Sequence, residues 1–298
     1  MAPSANDGPS GFAIVDKAAG WTSHDVVARA RKLLDTRKVG HSGTLDPSAT
    51  GVLVLGVGRG TKLLRFVTEL PKTYVASFQL GVETDTLDAD GVITARYDMA
   101  GVSLHEVRAA ALSFRGAIEQ IPPMVSAVKV DGRRLHELAR EGKEVERKPR
   151  QVTVHQLEID ATDAEDTFTM TVRCSSGTYV RTLAADIGTH LGGGAHVRSL
   201  RRTAVGPFTQ ERATALEEIS LMPLVAGMEG RSLVTVDGEL EAAIRYGKVL
   251  DREELGVVGE GPWGVISNPG NLLAVYEPHR GSTVKPAVVV APAGAGTG

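Results

Sequence analysis

A single cysteine, Cys174, in 298 residues excludes a disulfide framework and a thiolate zinc site, and fits a reducing, cytoplasmic setting. The eight histidines include no pair at the ligand spacing of a helix, so no metal site is expected. No apolar run reaches the roughly 18 residues of a membrane helix. The first ten residues have neither a basic start nor an apolar core. They are expected to be a disordered tail rather than a signal peptide, and residues 292–298 to be a second tail. Aromatics are only 4% of the chain, so each one is informative. The net charge of −3 argues against indiscriminate nucleic-acid binding and leaves a local basic face open.

Phosphate-loop and calcium-loop patterns are also missing. Residues 56–62, Gly-Val-Gly-Arg-Gly-Thr-Lys, have neither the spacing of a dinucleotide fingerprint nor that of a phosphate loop. A turn into a helix ending near Glu69 is expected instead. Residues 85–91 resemble a calcium loop only until position 97, where Tyr stands in place of the closing Glu; a polar hairpin turn is expected. No Gly-x-Ser-x-Gly elbow occurs.

What is present centres on residues 40–53, Gly-His-Ser-Gly-Thr-Leu-Asp-Pro-Ser-Ala-Thr-Gly-Val-Leu. Asp46 precedes a proline, which pushes it toward extended or turn geometry. The apolar run that follows has the length of a buried strand. One carboxylate is thus carried on a stiff loop entering a rigid element. That placement suits a nucleophile or base, and it equally suits a simple Asp-Pro turn.

Around this loop the pattern is of mixed strands and helices. Strands are expected at 12–15, 74–80, 125–130, 152–159, 168–174 and 197–205. Helices are expected from a Thr22 or Ser23 cap to about Leu34, from the Ser103-Leu104-His105-Glu106 capping box to about Phe114, over 134–140, 183–191 and 213–221, and near 240–246. Strict alternation of Phe168, Met170, Val172 and Cys174 makes that cysteine a packing residue. Residues 222–231 read as a linker to a small β-rich domain. Charge is uneven. Eight Lys and Arg stand against five Asp and Glu between Lys129 and Arg150, and Arg198, Arg201 and Arg202 have no acid between them. Unpaired cations of this kind favour phosphate contact, although the mixed stretch also reads as a solvated face.

The 41–53 segment resembles the catalytic loop of the TruB-type tRNA pseudouridine synthases. The likeness continues in order through Asp16-Lys17-Ala18-Ala19-Gly20-Trp21-Thr22-Ser23, Lys72-Thr73-Tyr74, residues 81–91 with Thr84, Thr86 and Asp88, the 174–183 segment with Tyr179 and Arg181, and Leu200-Arg201-Arg202-Thr203 followed by Val205-Gly206-Pro207-Phe208. The resemblance implies an α+β pseudouridine synthase fold, with a mixed, mainly antiparallel sheet flanked by helices. It implies a catalytic domain over 11–230 carrying a basic RNA-clamping insertion near 124–150, in which Val125 and His136 stand where aromatics are expected. It also implies a small PUA-like RNA-binding domain over 231–291.

The activity implied is conversion of uridine 55 in the TΨC stem–loop of tRNA to pseudouridine, by base flipping and without a cofactor, in a monomeric protein. Asp46 would be the essential carboxylate, attacking the ribose or the base or abstracting a ribose proton. Arg181 would pair with it. Tyr74 would stack on the flipped base and assist removal of the C5 proton. Tyr179 and Leu200 would line the pocket, and Lys17 would lie beside the loop. His41 would fill the gap left by flipping, and Arg201 and Arg202 would contact RNA. Two other readings remain: an RNA-binding or RNA-folding protein that kept the fold, and a glycosidase. The intact Asp46 and Arg181 weigh against the first. The lack of a second acid coupled to the Asp46 loop weighs against the second.

Overall fold

The computed structural model describes residues 8–126, 129–130, 133–134, 141 and 145–291. Along the chain run β1 (Gly11–Lys17), α1 (Ser23–Leu33), β2 (Val39–His41), β3 (Thr50–Val57), α2 (Leu64–Thr68), β4 (Lys72–Leu80), β5 (Val82–Thr84), β6 (Ile93–Arg96), α3 (Leu104–Leu112) and β7 (Gly116–Gln120). The short pair β8 (Lys129–Val130) and β9 (Arg133–Arg134) follows, then β10 (Arg150–Ala161), β11 (Thr167–Cys174), α4 (Val180–His190), β12 (Ala195–Val205) and β13 (Phe208–Thr209). The C-terminal part holds β14 (Leu233–Val236), α5 (Gly238–Arg245), β15 (Leu250–Asp251), α6 (Arg252–Leu255), β16 (Trp263–Ser267), β17 (Leu272–Pro278) and β18 (Thr283–Val289). Among the described residues no helix is long and apolar enough to cross a membrane.

The main sheet has the order β1-β3-β12-β4-β11-β10-β7, with β2 on β3 and β13 on β12. Every pairing is antiparallel except that of β3 with β12. That parallel contact is brief, joining Thr50 to Arg201 and Gly51 to Arg202. It lies directly behind the Asp46 loop. Gly51 has φ +101°, and a side chain there would meet the Arg202 carbonyl oxygen at 2.2 Å. Only glycine lets the loop return to the sheet so closely.

Alternation decides which faces are buried. Phe168, Met170, Val172 and Cys174 of β11 all point into one core, with Phe78 of β4 and Leu183 and Ile187 of α4. The opposite end of the sheet packs Val26, Val27 and Ala30 of α1 against Ala13, Val15, Leu53 and Leu55. The expected caps are both present. Thr22 and Asp25 form one capping box, and Ser103 and Glu106 another.

Several expectations change. Residues 213–221 contain only the 3-10 turn Leu216–Glu218. Residues 222–231 are not a free linker. They form the 3-10 turn Leu224–Met228 and bury Met228 in a core shared with Phe12, Phe66 and Phe208 on one side and Leu272, Val275 and Val290 on the other. The C-terminal five-stranded sheet, β14-β16-β17-β18-β15, is therefore packed onto the main sheet. Helix α4 begins at Val180, not Leu183, so Tyr179 is its cap and Arg181 lies in its first turn. A strand was expected over 125–130; among the described residues Lys129–Val130 is extended and 124–126 form a bend. The helix expected over 134–140 and the position of His136 lie outside the described residues.

Candidate active site

Asp46 stands on a loop pinned from both sides. Before it, the Ser23 hydroxyl accepts from the Leu45 N–H at 2.9 Å and reaches the Leu45 carbonyl at 3.3 Å. After it, the Pro47 carbonyl accepts from the Gly20 N–H at 2.9 Å and from Lys17 Nζ at 3.1 Å. From behind, the Arg202 guanidinium donates to the carbonyls of Val52, Thr44 and Gly43 at 2.7, 3.4 and 3.1 Å. Such a loop holds its carboxylate with little freedom to reorganise.

The carboxylate opens into a cavity of about 370 Å3. Tyr74, Tyr179, Arg181 and Leu200 line it with Asp46, as the sequence leads one to expect, and Lys72, Ser126 and Arg150 join them. Their origins are scattered. Tyr74 comes from β4, Leu200 from the neighbouring β12 and Tyr179 from the cap of α4. Gln120, a buried residue of β7, holds that cap. Its side-chain carbonyl accepts from the Tyr179 N–H at 2.9 Å, and its amide donates to the Tyr179 carbonyl at 3.2 Å.

Arg181 is only 4% exposed and four contacts occupy it. Nε meets Asp46 Oδ2 at 3.0 Å. One terminal nitrogen meets Asp88 Oδ2 at 3.0 Å and the Thr86 carbonyl at 2.6 Å, and the other meets the Val125 carbonyl at 2.9 Å. Asp88 is a site residue that sequence reasoning quoted in a motif without giving it a role. The absence of a second acid near Asp46 is corrected here: the two carboxylates share one guanidinium. Asp88 is itself committed, since its Oδ1 also accepts from the Thr86 hydroxyl at 2.6 Å.

Burial raises the Asp46 pKa above its ordinary value, and Asp88 adds to the rise; Arg181 and Lys17 oppose it. Burial also raises the Tyr74 phenol, against the pull of the Arg202 guanidinium. The Tyr74 hydroxyl therefore keeps its proton at neutral pH and serves as a donor, or as a relay that gives up one proton as it takes another.

Four assigned residues do not reach the cavity as free groups. Lys17 is 1% exposed and spends its ammonium on the carbonyls of Ala18, Trp21 and Pro47, at 2.9, 2.7 and 3.1 Å. Burial lowers its pKa to about 8. Arg202 is 1% exposed and fastens the loop from inside, so it is no phosphate contact. Arg201 turns away to Asp16, meeting both carboxylate oxygens at 3.0 and 2.8 Å. His41 does not line the cavity; its Nδ1 accepts from the Gly43 N–H at 3.2 Å and its ring stands edge-on to His24. Charge in a sequence does not reveal an internal partner, and Asp16 is 185 residues from Arg201.

Comparison with known proteins follows the same lines. Residues 31–180 match the family model described as TruB family pseudouridylate synthase (N terminal domain), and residues 181–235 match that of the tRNA pseudouridylate synthase B C-terminal domain. The tRNA pseudouridine synthase B of Rhodococcus jostii is 46% identical over 98% of this chain and 97% of its own, and that of Thermobifida fusca is 43% identical over 94% and 98%. Among solved structures, a chain of a Cbf5-Nop10-Gar1 complex superposes with a TM-score of 0.73 at 25% identity, over 95% of this chain and 85% of that one. The protein belongs to the TruB family of pseudouridylate synthases.

Proposed function

We propose that the protein converts uridine to pseudouridine in tRNA, at position 55 of the TΨC stem–loop, with Asp46 as the essential carboxylate. The observation that carries this reading is the Asp46–Arg181 pair at 3.0 Å on the wall of a cavity that has no other acid among the described residues. The reaction breaks the N1–C1′ bond and forms a C5–C1′ bond. A proton leaves C5 and another ends on N1, so the atoms balance without an oxidant, reductant or cofactor. A negative charge placed against the ribose–uracil junction suits a transition state in which C1′ loses its bond to nitrogen. Arg181 keeps that charge ionised and aimed.

A target base must leave its stack to reach Asp46 in the cavity, at a cost of about a few kcal/mol. The Tyr74 ring supplies a stacking face, and Tyr179 and Leu200 complete an apolar wall. His41, which does not line the cavity, would fill the gap that flipping leaves in the RNA. The basic insertion and the exposed Arg198 supply charge for RNA shape recognition. The glycosidase reading loses ground because Asp88 is tied to Arg181 and, among the described residues, no other acid lines the cavity.

The test is Asp46→Asn with unmodified tRNA and no added cofactor, assayed by chemical labelling of pseudouridine. Product formation should vanish while tRNA affinity stays within about tenfold, or 1.4 kcal/mol. Turnover by the folded variant, with deamidation excluded by mass spectrometry, would overturn the assignment.

A further inference from the structure

Four cationic side chains line the cavity: Lys72, Arg150, Arg181 and Arg202. Three are consumed by the protein itself. Lys72 donates to the carbonyls of Thr68 and Leu70. Arg181 serves Asp46, Asp88 and two carbonyls. Arg202 serves three carbonyls of the loop region. Among the described residues, the Arg150 side chain alone of the four has no hydrogen bond and no ion pair. It is exposed at the first position of β10, opposite Gln120 of β7.

The rim beside Arg150 is built rather than loose. The turn after β11 is tied to β10 at Thr153, whose N–H donates to the Ser175 hydroxyl at 2.8 Å and whose carbonyl accepts from the Ser175 N–H at 2.8 Å. That turn carries Ser176, exposed and on the cavity wall, with no partner for its hydroxyl. An arginine and a hydroxyl, both unpartnered and both facing one opening, form a donor pair that an anion would complete.

A base cannot enter this cavity without its backbone. Each nucleotide brings a phosphodiester, and the buried cations are already engaged by acceptors of the protein. We propose that Arg150, assisted by the Ser176 hydroxyl, holds a phosphodiester immediately next to the flipped nucleotide. This subsite would position the backbone at the cavity mouth while Asp46 and Tyr74 act on the nucleotide inside. The proposal rests on the pseudouridine synthase reading of the cavity.

The experiment uses a TΨC stem–loop in which single phosphates flanking the target are replaced by neutral methylphosphonates. Wild-type protein and Arg150→Gln are compared by fluorescence anisotropy and by turnover. One linkage within a nucleotide of the target should cost the wild type about tenfold or more in Kd and KM. The same replacement should cost Arg150→Gln almost nothing. On unmodified RNA, Arg150→Gln should raise KM by a similar factor with kcat at saturation kept within about twofold. Its salt slope should fall by roughly 0.7 to 0.9, the share of one phosphate. Arg150→Lys should recover part of the loss, and Ser176→Ala should show a smaller one. Wild-type affinity in Arg150→Gln, or equal losses in both proteins at every replaced linkage, would overturn the proposal. The two readings fail separately. A wild type that binds the stem–loop and makes no pseudouridine would refute the activity, while the binding data would still judge Arg150.

Discussion

At the scale of single residues, the site turns on how a carboxylate stays ionised where burial works against it. Asp46 has a raised pKa because it loses water, and Arg181 supplies the largest opposing effect. If the ionised form does the chemistry, activity falls as pH drops through that raised value. The acid limb of kcat/KM should then lie above the ordinary aspartate range. Removing the opposing cation moves the limb further up: Arg181→Met should shift it to higher pH and cut the rate about a hundredfold or more, since the aim is lost too. Arg181→Lys keeps a positive charge but cannot fork between Asp46 and Asp88. It should lose rate while leaving the limb closer to wild type. A limb that stays in place in Arg181→Met would show that Asp46 is not the group titrating. This pair was legible in the sequence through two separated motifs. Its third member, Asp88, was not given a role, because a polar turn explained Asp88 adequately until the fold placed Arg181 beside it.

At the scale of elements, capping and alternation told the truth about where helices and strands begin, and charge did not tell the truth about where side chains go. The Thr22 and Ser103 caps and the buried face of β11 follow from local chemistry alone. Arg201 and Arg202 looked like RNA contacts because their partners, a carboxylate and three carbonyls, come from distant segments. The start of α4 was placed three residues late, since Tyr179 and Val180 have no capping side chain to announce them. The structure supplies the missing cap from elsewhere: the Gln120 amide takes both backbone groups of Tyr179. Gln120→Ala leaves the Tyr179 N–H without that partner, at a cost of about 1–3 kcal/mol. It also frees the turn that sets both Tyr179 and Arg181. The variant should bind the stem–loop within about threefold of wild type, with kcat down about tenfold or more. Its Tyr179 amide should exchange with solvent measurably faster. Unchanged exchange at Tyr179 together with a normal kcat would show that Gln120 only fills space.

At the scale of the whole molecule, the sequence suggested two domains joined by a linker; the C-terminal sheet has a core of its own around Trp263 and Tyr276, and a second core is shared by both sheets where the linker was expected. The difference has a physical source. Residues 222–231 are short on regular secondary structure, which reads as a linker, yet Met228 is completely buried between Phe12 and Phe208 of one part and Leu272, Val275 and Val290 of the other. Polar contacts cross the same boundary, with Arg231 donating to the Phe66 carbonyl at 3.0 Å and Arg59 to the Val290 carbonyl at 2.9 Å. A module held this way should not melt alone. Met228→Ala removes a fully buried side chain and leaves a cavity where both sheets meet, which costs about 2–5 kcal/mol. Calorimetry should show one transition in the wild type and one, at lower temperature, in the variant, with both sheets lost together. Two resolved transitions, only one of them moved by the substitution, would restore the linker. A coupled core has a functional consequence as well. The β1 strand that packs on the C-terminal module also delivers Lys17 to Pro47, so loosening the shared core at Met228 should lower turnover at temperatures well below the transition, while a freely hinged module would leave it unchanged.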